Sequence, residues 1–120
     1  MFGHSGSKAV LTCLVAGILA CLSPMPSPAN ADDMPVFALS IHDHKFTPEL
    51  VKIPAKTKVK LLVANRDTAA EEFESYELNR EKLIPPGTEG IVFVGPLSPG
   101  TYRFFGDFHQ DTAQGKLVVE

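Results

Sequence analysis

Three short stretches gather the side chains that could hold a metal. Glu71, Glu72 and Glu74 stand in "EEFES", Asp107, His109 and Asp111 in "GDFHQD", and His42, Asp43 and His44 in "IHDHK". Carboxylates with one or two imidazoles make a hard oxygen and nitrogen donor set. Such a set suits iron, and holds Cu(II) better than Cu(I). Histidines at i and i+2 of a strand lie on one face, so His42 and His44 are the best candidates for a second site. By the same alternation Glu72 and Glu74 share one face, and Glu71 shares the other with Phe73. All three cannot reach one ion unless the strand bulges, and the spacing favours neither set. Each residue also has a plainer reading: glutamates form solvated strand faces, Asp107 and Asp111 suit turns, and histidines often sit at the surface. Met34 offers a thioether to Cu(I), although a lone methionine is more often just mobile chain.

Other chemistries lack their residues. There is no Ser-His-Asp arrangement with a "GxSxG" elbow, no phosphate loop and no "CxxC". No conventional catalytic motif appears, and whether the protein is an enzyme stays open.

Lys8 precedes an apolar run, Ala9–Leu22, followed by "SPMPSP" and "ANA". A basic start, a run of about 14 apolar residues and a small-x-small end fit a secretory signal peptide. The run falls short of the ~20 residues that span a bilayer. Residues 1–31 are therefore expected to be a signal peptide cleaved after Ala31, and residues 32–120 an exported, periplasmic domain. The stretch "ILAC", ending at Cys21, is a loose match to a lipidation site, with Leu19 bulkier than usual. Both cysteines, Cys13 and Cys21, fall in this segment, so residues 32–120 carry no disulfide and no thiolate ligand. The full chain has a net charge of −3, and removing Lys8 makes it −4. That balance argues against a nucleic-acid partner and suits a cationic one.

The elements that must position these side chains read as short strands. Val36–Asp43 alternates at period two, "ELVKIPA" follows, and Lys58–Asn65 is stronger. Glu71–Leu78, Glu89–Leu97, Gly100–Phe108 and "GKLVVE" complete about seven strands, with "PAKT", "PPGT" and "LSPGT" as turns. Only "EEFESYELNREK" is ambiguous between helix and strand periods, and it reads as mostly strand and loop. Short strands with regular turn signals predict an all-β sandwich. Phe37, Phe46, Phe73, Phe93, Tyr102, Phe104 and Phe108 are expected to fill it, with Phe105 or Phe108 shielding a site.

The order of "FTPELVKIPAKTKVKLLVANRD", "PPGT", "LSPGTYRF" and "GKLVV" resembles the cupredoxin superfamily across almost all of residues 32–120. More narrowly, "NRDTAAEEFES", "REKLIPPG" and "FFGDFH" resemble the cupredoxin-like periplasmic proteins of bacterial high-affinity iron uptake, of the Ftr and EfeO type. That resemblance implies a cupredoxin-like Greek-key β-sandwich, bound copper and/or iron, and a part in ferrous iron oxidation or delivery. It also implies a membrane iron permease complex and periplasmic iron-binding proteins as partners. By position, Gly106 replaces the copper-ligating cysteine, Ala113 or Gln114 the axial methionine, and Glu71 or Glu72 the first histidine. His109 stands at the one ligand position that survives. The resemblance favours Glu72 over its neighbours, and marks Glu81 as an acidic ligand position. It implies that "GDFHQD", "EEFES" and the "HDH" segment meet at one end of the sandwich, with His109 joined by Glu72 or Asp107. Two further readings are a copper chaperone or storage protein and a metal-free adapter of a membrane complex.

Overall fold

Val59–Asn65 shows how this sequence builds a sandwich. Val59, Leu61, Val63 and Asn65 are buried on one face, while Lys60, Leu62 and Ala64 on the other are only half-buried. Branched side chains at period two fit a pleated surface whose inner face meets a second sheet. A computed structural model of the chain describes Gly3, Gly17, Ala20, Cys21, Ser23, Pro24 and residues 33–120. The expected signal segment lies mostly outside the described residues, as does its cleavage point; Cys21 is exposed.

Among the described residues nine strands form: β1 Val36–His42, β2 Lys45–Thr47, β3 Leu50–Ile53, β4 Val59–Asn65, β5 Glu71–Ser75, β6 Arg80–Ile84, β7 Glu89–Val94, β8 Gly100–Gly106 and β9 Gln114–Val119. One sheet has the order β2-β1-β4-β7 and the other β3-β9-β8-β5-β6. The all-β expectation holds. The two strands beyond the expected seven are β2 and β6. β2 is three residues long and β6 buries only Ile84, so neither carries a readable alternation. The ambiguous "EEFESYELNREK" is a hairpin, with Glu71–Ser75 antiparallel to Arg80–Ile84 and Asn79 at φ 52° in the turn.

Between the sheets, Phe46 meets Phe104 edge-on at 5.0 Å, and Phe104 stacks on Phe73 at 5.1 Å. Leu39, Ile41, Leu61, Val63 and Val94 pack from one side, and Val51, Ile53, Ile84, Leu117 and Val119 from the other. Each such side chain contributes about 1.5–3 kcal/mol by leaving water. Phe93 and Phe108 are not filling: both are exposed, and Phe93 lies beneath the Lys58 and Lys60 ammoniums on the outer face. Phe105 packs edge-on against the exposed Tyr76 ring on the outer side of its own sheet, and shields no site.

The β1–β2 connection is a tight reversal. Residues 42 and 45 are paired, leaving Asp43 and His44 as a two-residue turn with φ 50° and 57°. Positive φ at both central positions is the hairpin geometry that matches strand twist. The expectation that His42 and His44 lie on one strand face is thus corrected. His42 ends β1 and His44 is in the turn, because the chain reverses between them.

Candidate metal centre

Three segments converge at one end of the sandwich. The β1–β2 turn brings His44, the first residue of β5 brings Glu71, and the 3-10 turn Asp107–His109 after β8 brings His109. One ligand atom from each of these residues lies within 4.8 Å of the others. The two imidazoles stack, with centroids 3.6 Å apart and planes 13° from parallel.

Glu71 is the centre of the arrangement. It is 1% exposed, although ionised side chains are rarely buried without partners. Its Oε1 accepts the N–H of Phe108 at 2.9 Å and that of Glu72 at 3.0 Å. Its Oε2 lies 2.5 Å from His109 Nδ1. Charge-assisted bonds of this kind offset the cost of taking a carboxylate out of water. Among the described residues no buried side-chain nitrogen or oxygen lacks a partner. The loop behind His109 is closed by backbone: Gly106 N–H donates to Ala113 O at 2.8 Å, and Ala113 N–H to His109 O at 2.8 Å.

Gly106 shows what Glu71 displaces. A Cβ built there would stand 2.6 Å from Glu71 Cδ, 2.8 Å from Glu71 Oε1 and 2.7 Å from Ala113 Cβ. The volume a cysteine at 106 would need is already filled by the carboxylate. A thiolate copper site therefore does not fit these residues. Two imidazoles and a carboxylate fit Cu(II), Fe(II) or another borderline-to-hard cation.

Not all the candidate residues are gathered here. Glu72 and Glu74 point to the outer face of their sheet, as alternation required, and meet Glu81 there within 4.8 Å. Glu81 sits directly opposite Glu74, so like charges face each other. The hydrogen bond with Glu81 is the main reason that the Glu72 carboxyl is pushed up to about 7. Partial desolvation and the Glu81, Glu74 and Asp107 carboxylates add to it. Asp107 Oδ1 accepts Gln110 Nε2 at 2.8 Å, which ties it into its own turn. His42 is exposed, 3.4 Å from Asp43 and 3.8 Å from Asp67.

Asp67 is the residue that sequence reasoning missed. Its carboxylate accepts the N–H groups of Asp43 at 2.8 Å and His44 at 3.0 Å, and His44 Nδ1 lies 3.5 Å away. The His44 backbone bond holds its carboxyl below the usual range. The Asp43 bond and the neighbouring imidazoles act in the same direction, and burial opposes them. The available signal was "NRD": an Asn that bonds the backbone two residues on fixes a turn at Asp67, as its Oδ1 does here.

Two sheets closed at one end by a histidine-bearing loop define a cupredoxin-type sandwich. The chain belongs to the family of cupredoxin-like domains, whose model matches residues 11–119. It is 41% identical over 112 residues to the uncharacterized protein RP394 of Rickettsia prowazekii (strain Madrid E), covering 92% of this chain and 90% of that one. Auracyanin A, a "blue" copper protein from Chloroflexus aurantiacus, superposes with a TM-score of 0.60 at 13% identity, covering 71% of this chain and 98% of that one. The metal-binding domain of the Cu(I)-exporting P-type ATPase CopA of Streptococcus pneumoniae D39 gives 0.61 at 13% identity, covering 71% and 84%. At such identities these two likenesses speak to the fold alone.

Proposed function

We propose that this protein binds a single transition-metal cation, Cu(II) or iron, through His44, Glu71 and His109. The observation that carries this reading is the buried Glu71 carboxylate, facing two imidazoles in the volume a cysteine at 106 would occupy. A cation entering here would part the Glu71–His109 contact and turn the stacked imidazoles so that a ring nitrogen of each faces it. When bound, the cation supplies charge neutralisation and, if it is copper or iron, one-electron chemistry. Glu71 and His109 hold it from within, His44 covers it from the hairpin turn, and no thiolate tunes it. The finer reading is assistance in ferrous iron oxidation and delivery to a membrane permease from the periplasm. It rests on the sequence resemblance and on the hard character of the donors.

Calorimetric titration of Cu(II), and of Fe(II) without oxygen, into wild type, His44→Ala, Glu71→Gln and His109→Ala tests the site. Each substitution is expected to weaken binding at least tenfold. Binding should also weaken in acid, since imidazole ligates only when neutral. Equal binding by wild type and Glu71→Gln would overturn the reading. Tight Cu(II) binding with no measurable iron binding would leave the copper storage or chaperone role and remove iron delivery.

A further inference from the structure

His44 is the donor least expected at this centre, because it comes from the tip of a hairpin rather than from the core. Something has to hold that tip inward. We propose that Asp67 is the positioning residue that places His44 in the metal centre and fixes which of its ring nitrogens faces the metal; this rests on the three-residue site above. Asp67 reaches both halves of the turn. It takes the backbone N–H of Asp43 and of His44, the two residues at positive φ, and its Oδ2 also faces His44 Nδ1 at 3.5 Å.

Asp67 is itself anchored from the core. Its N–H donates to Asn65 Oδ1 at 3.0 Å. Asn65 is buried at the end of β4, and its Nδ2 donates to Ala69 O and Ile84 O. Arg66 N–H donates to Ile41 O, tying the same loop to β1. The chain of contacts runs from the sheet through Asn65 and Asp67 to the turn and its imidazole.

Nδ1 faces the carboxylate at ion-pair distance, and the negative charge beside it favours the hydrogen on that nitrogen. With the hydrogen on Nδ1, Nε2 is the lone-pair nitrogen left for a cation. A carboxylate behind a ligating histidine sets the ring's orientation and tautomer, and losing one costs metal affinity about 10- to 100-fold. His42, 3.8 Å from the other Asp67 oxygen, stays outside the centre, so the carboxylate separates the two histidines of the "HDH" run.

The test uses the full chain with Cu(II) as probe. Asp67→Ala removes both turn acceptors; Asp67→Asn keeps one and preserves shape should the alanine variant fail to fold. Affinity is read by titration, and the number of coordinated imidazoles by pulsed electron paramagnetic resonance. Wild type should show two imidazoles, and Asp67→Asn one, with an affinity loss of about tenfold or more. In a His44→Ala background, Asp67→Asn should cost nothing further. An equal loss in both backgrounds, or two imidazoles retained in Asp67→Asn, overturns the proposal even if His109→Ala abolishes binding. Nitrogen-15 spectra of the metal-free chain give an independent readout: His44 should be the Nδ1–H tautomer in wild type. Finding Nε2–H there sinks the tautomer argument without bearing on the three-residue site.

Discussion

Glu71 and Glu72 are consecutive residues of the same type on the same strand, and they live in opposite circumstances. Glu71 faces inward, is 1% exposed, and meets two backbone N–H groups and an imidazole. Glu72 faces outward among Glu74, Glu81 and Asp107, and meets mainly like charge. The pleat decides which is which, and partners decide what each can do. A buried carboxylate surrounded by donors is preorganised for a cation. An outer cluster of carboxylates is an ordinary repulsive face.

Removing each carboxylate separately should separate the two circumstances. Glu71→Ala leaves the Phe108 N–H and His109 without their acceptor. Taking one partner from a buried pair costs about 3–5 kcal/mol, so urea denaturation of the metal-free chain should show a loss of that order. Glu72→Ala should cost far less, because it relieves repulsion. Equal losses would break the comparison.

A smaller effect is expected at Gly106. Gly106→Cys forces a side chain against Glu71 and Ala113, and overpacking of this kind costs about 1–3 kcal/mol. The variant should stay pale with Cu(II), since the carboxylate keeps sulfur from settling. In a Glu71→Ala background the same substitution should cost less, a coupling that a double-mutant cycle measures. Strict additivity would mean that the two side chains do not contest one volume.

The outer glutamates should give the smallest effect, visible as a slope. The Glu72 carboxyl is raised in the fold to about 7 from an ordinary value near 4.5. The folded chain therefore holds that proton more tightly than the unfolded one. Its contribution is fully present below the ordinary value and is lost as pH rises through about 7. Denaturation midpoints across that window should fall with rising pH in wild type and flatten in Glu72→Gln, and high salt should flatten both. An unchanged slope in Glu72→Gln would assign the pH dependence to other groups.

How far the sequence discloses this site depends on its local patterns. The strands with a buried face, such as Val59–Asn65, announce themselves by alternation, and so does the opposition of Glu71 and Glu72. Alternation cannot say that the inward glutamate is the useful one, because glutamate ordinarily points outward and the resemblance favours Glu72. His109 is legible from its place after "FFGDF". His44 draws notice for a strand geometry it does not have, since "HDHK" holds a two-residue reversal at positive φ. Asp67 is legible only as a turn residue of "NRD"; that it caps the Asp43–His44 turn is not, because those two partners lie more than 20 residues away in sequence.

Glu71 and a cysteine at 106 are rival tenants of one space, and that has a consequence for how such a domain diverges. On the proposed site, one codon change at 106 does not by itself exchange oxygen-donor for sulfur-donor ligation. The added side chain collides while the glutamate remains, and losing the glutamate first leaves stranded donors. Either order crosses a less stable ancestor, so this centre sits in a basin of sequence space with a rim. Close relatives should hold glycine at 106 and glutamate at 71 together, or have replaced both.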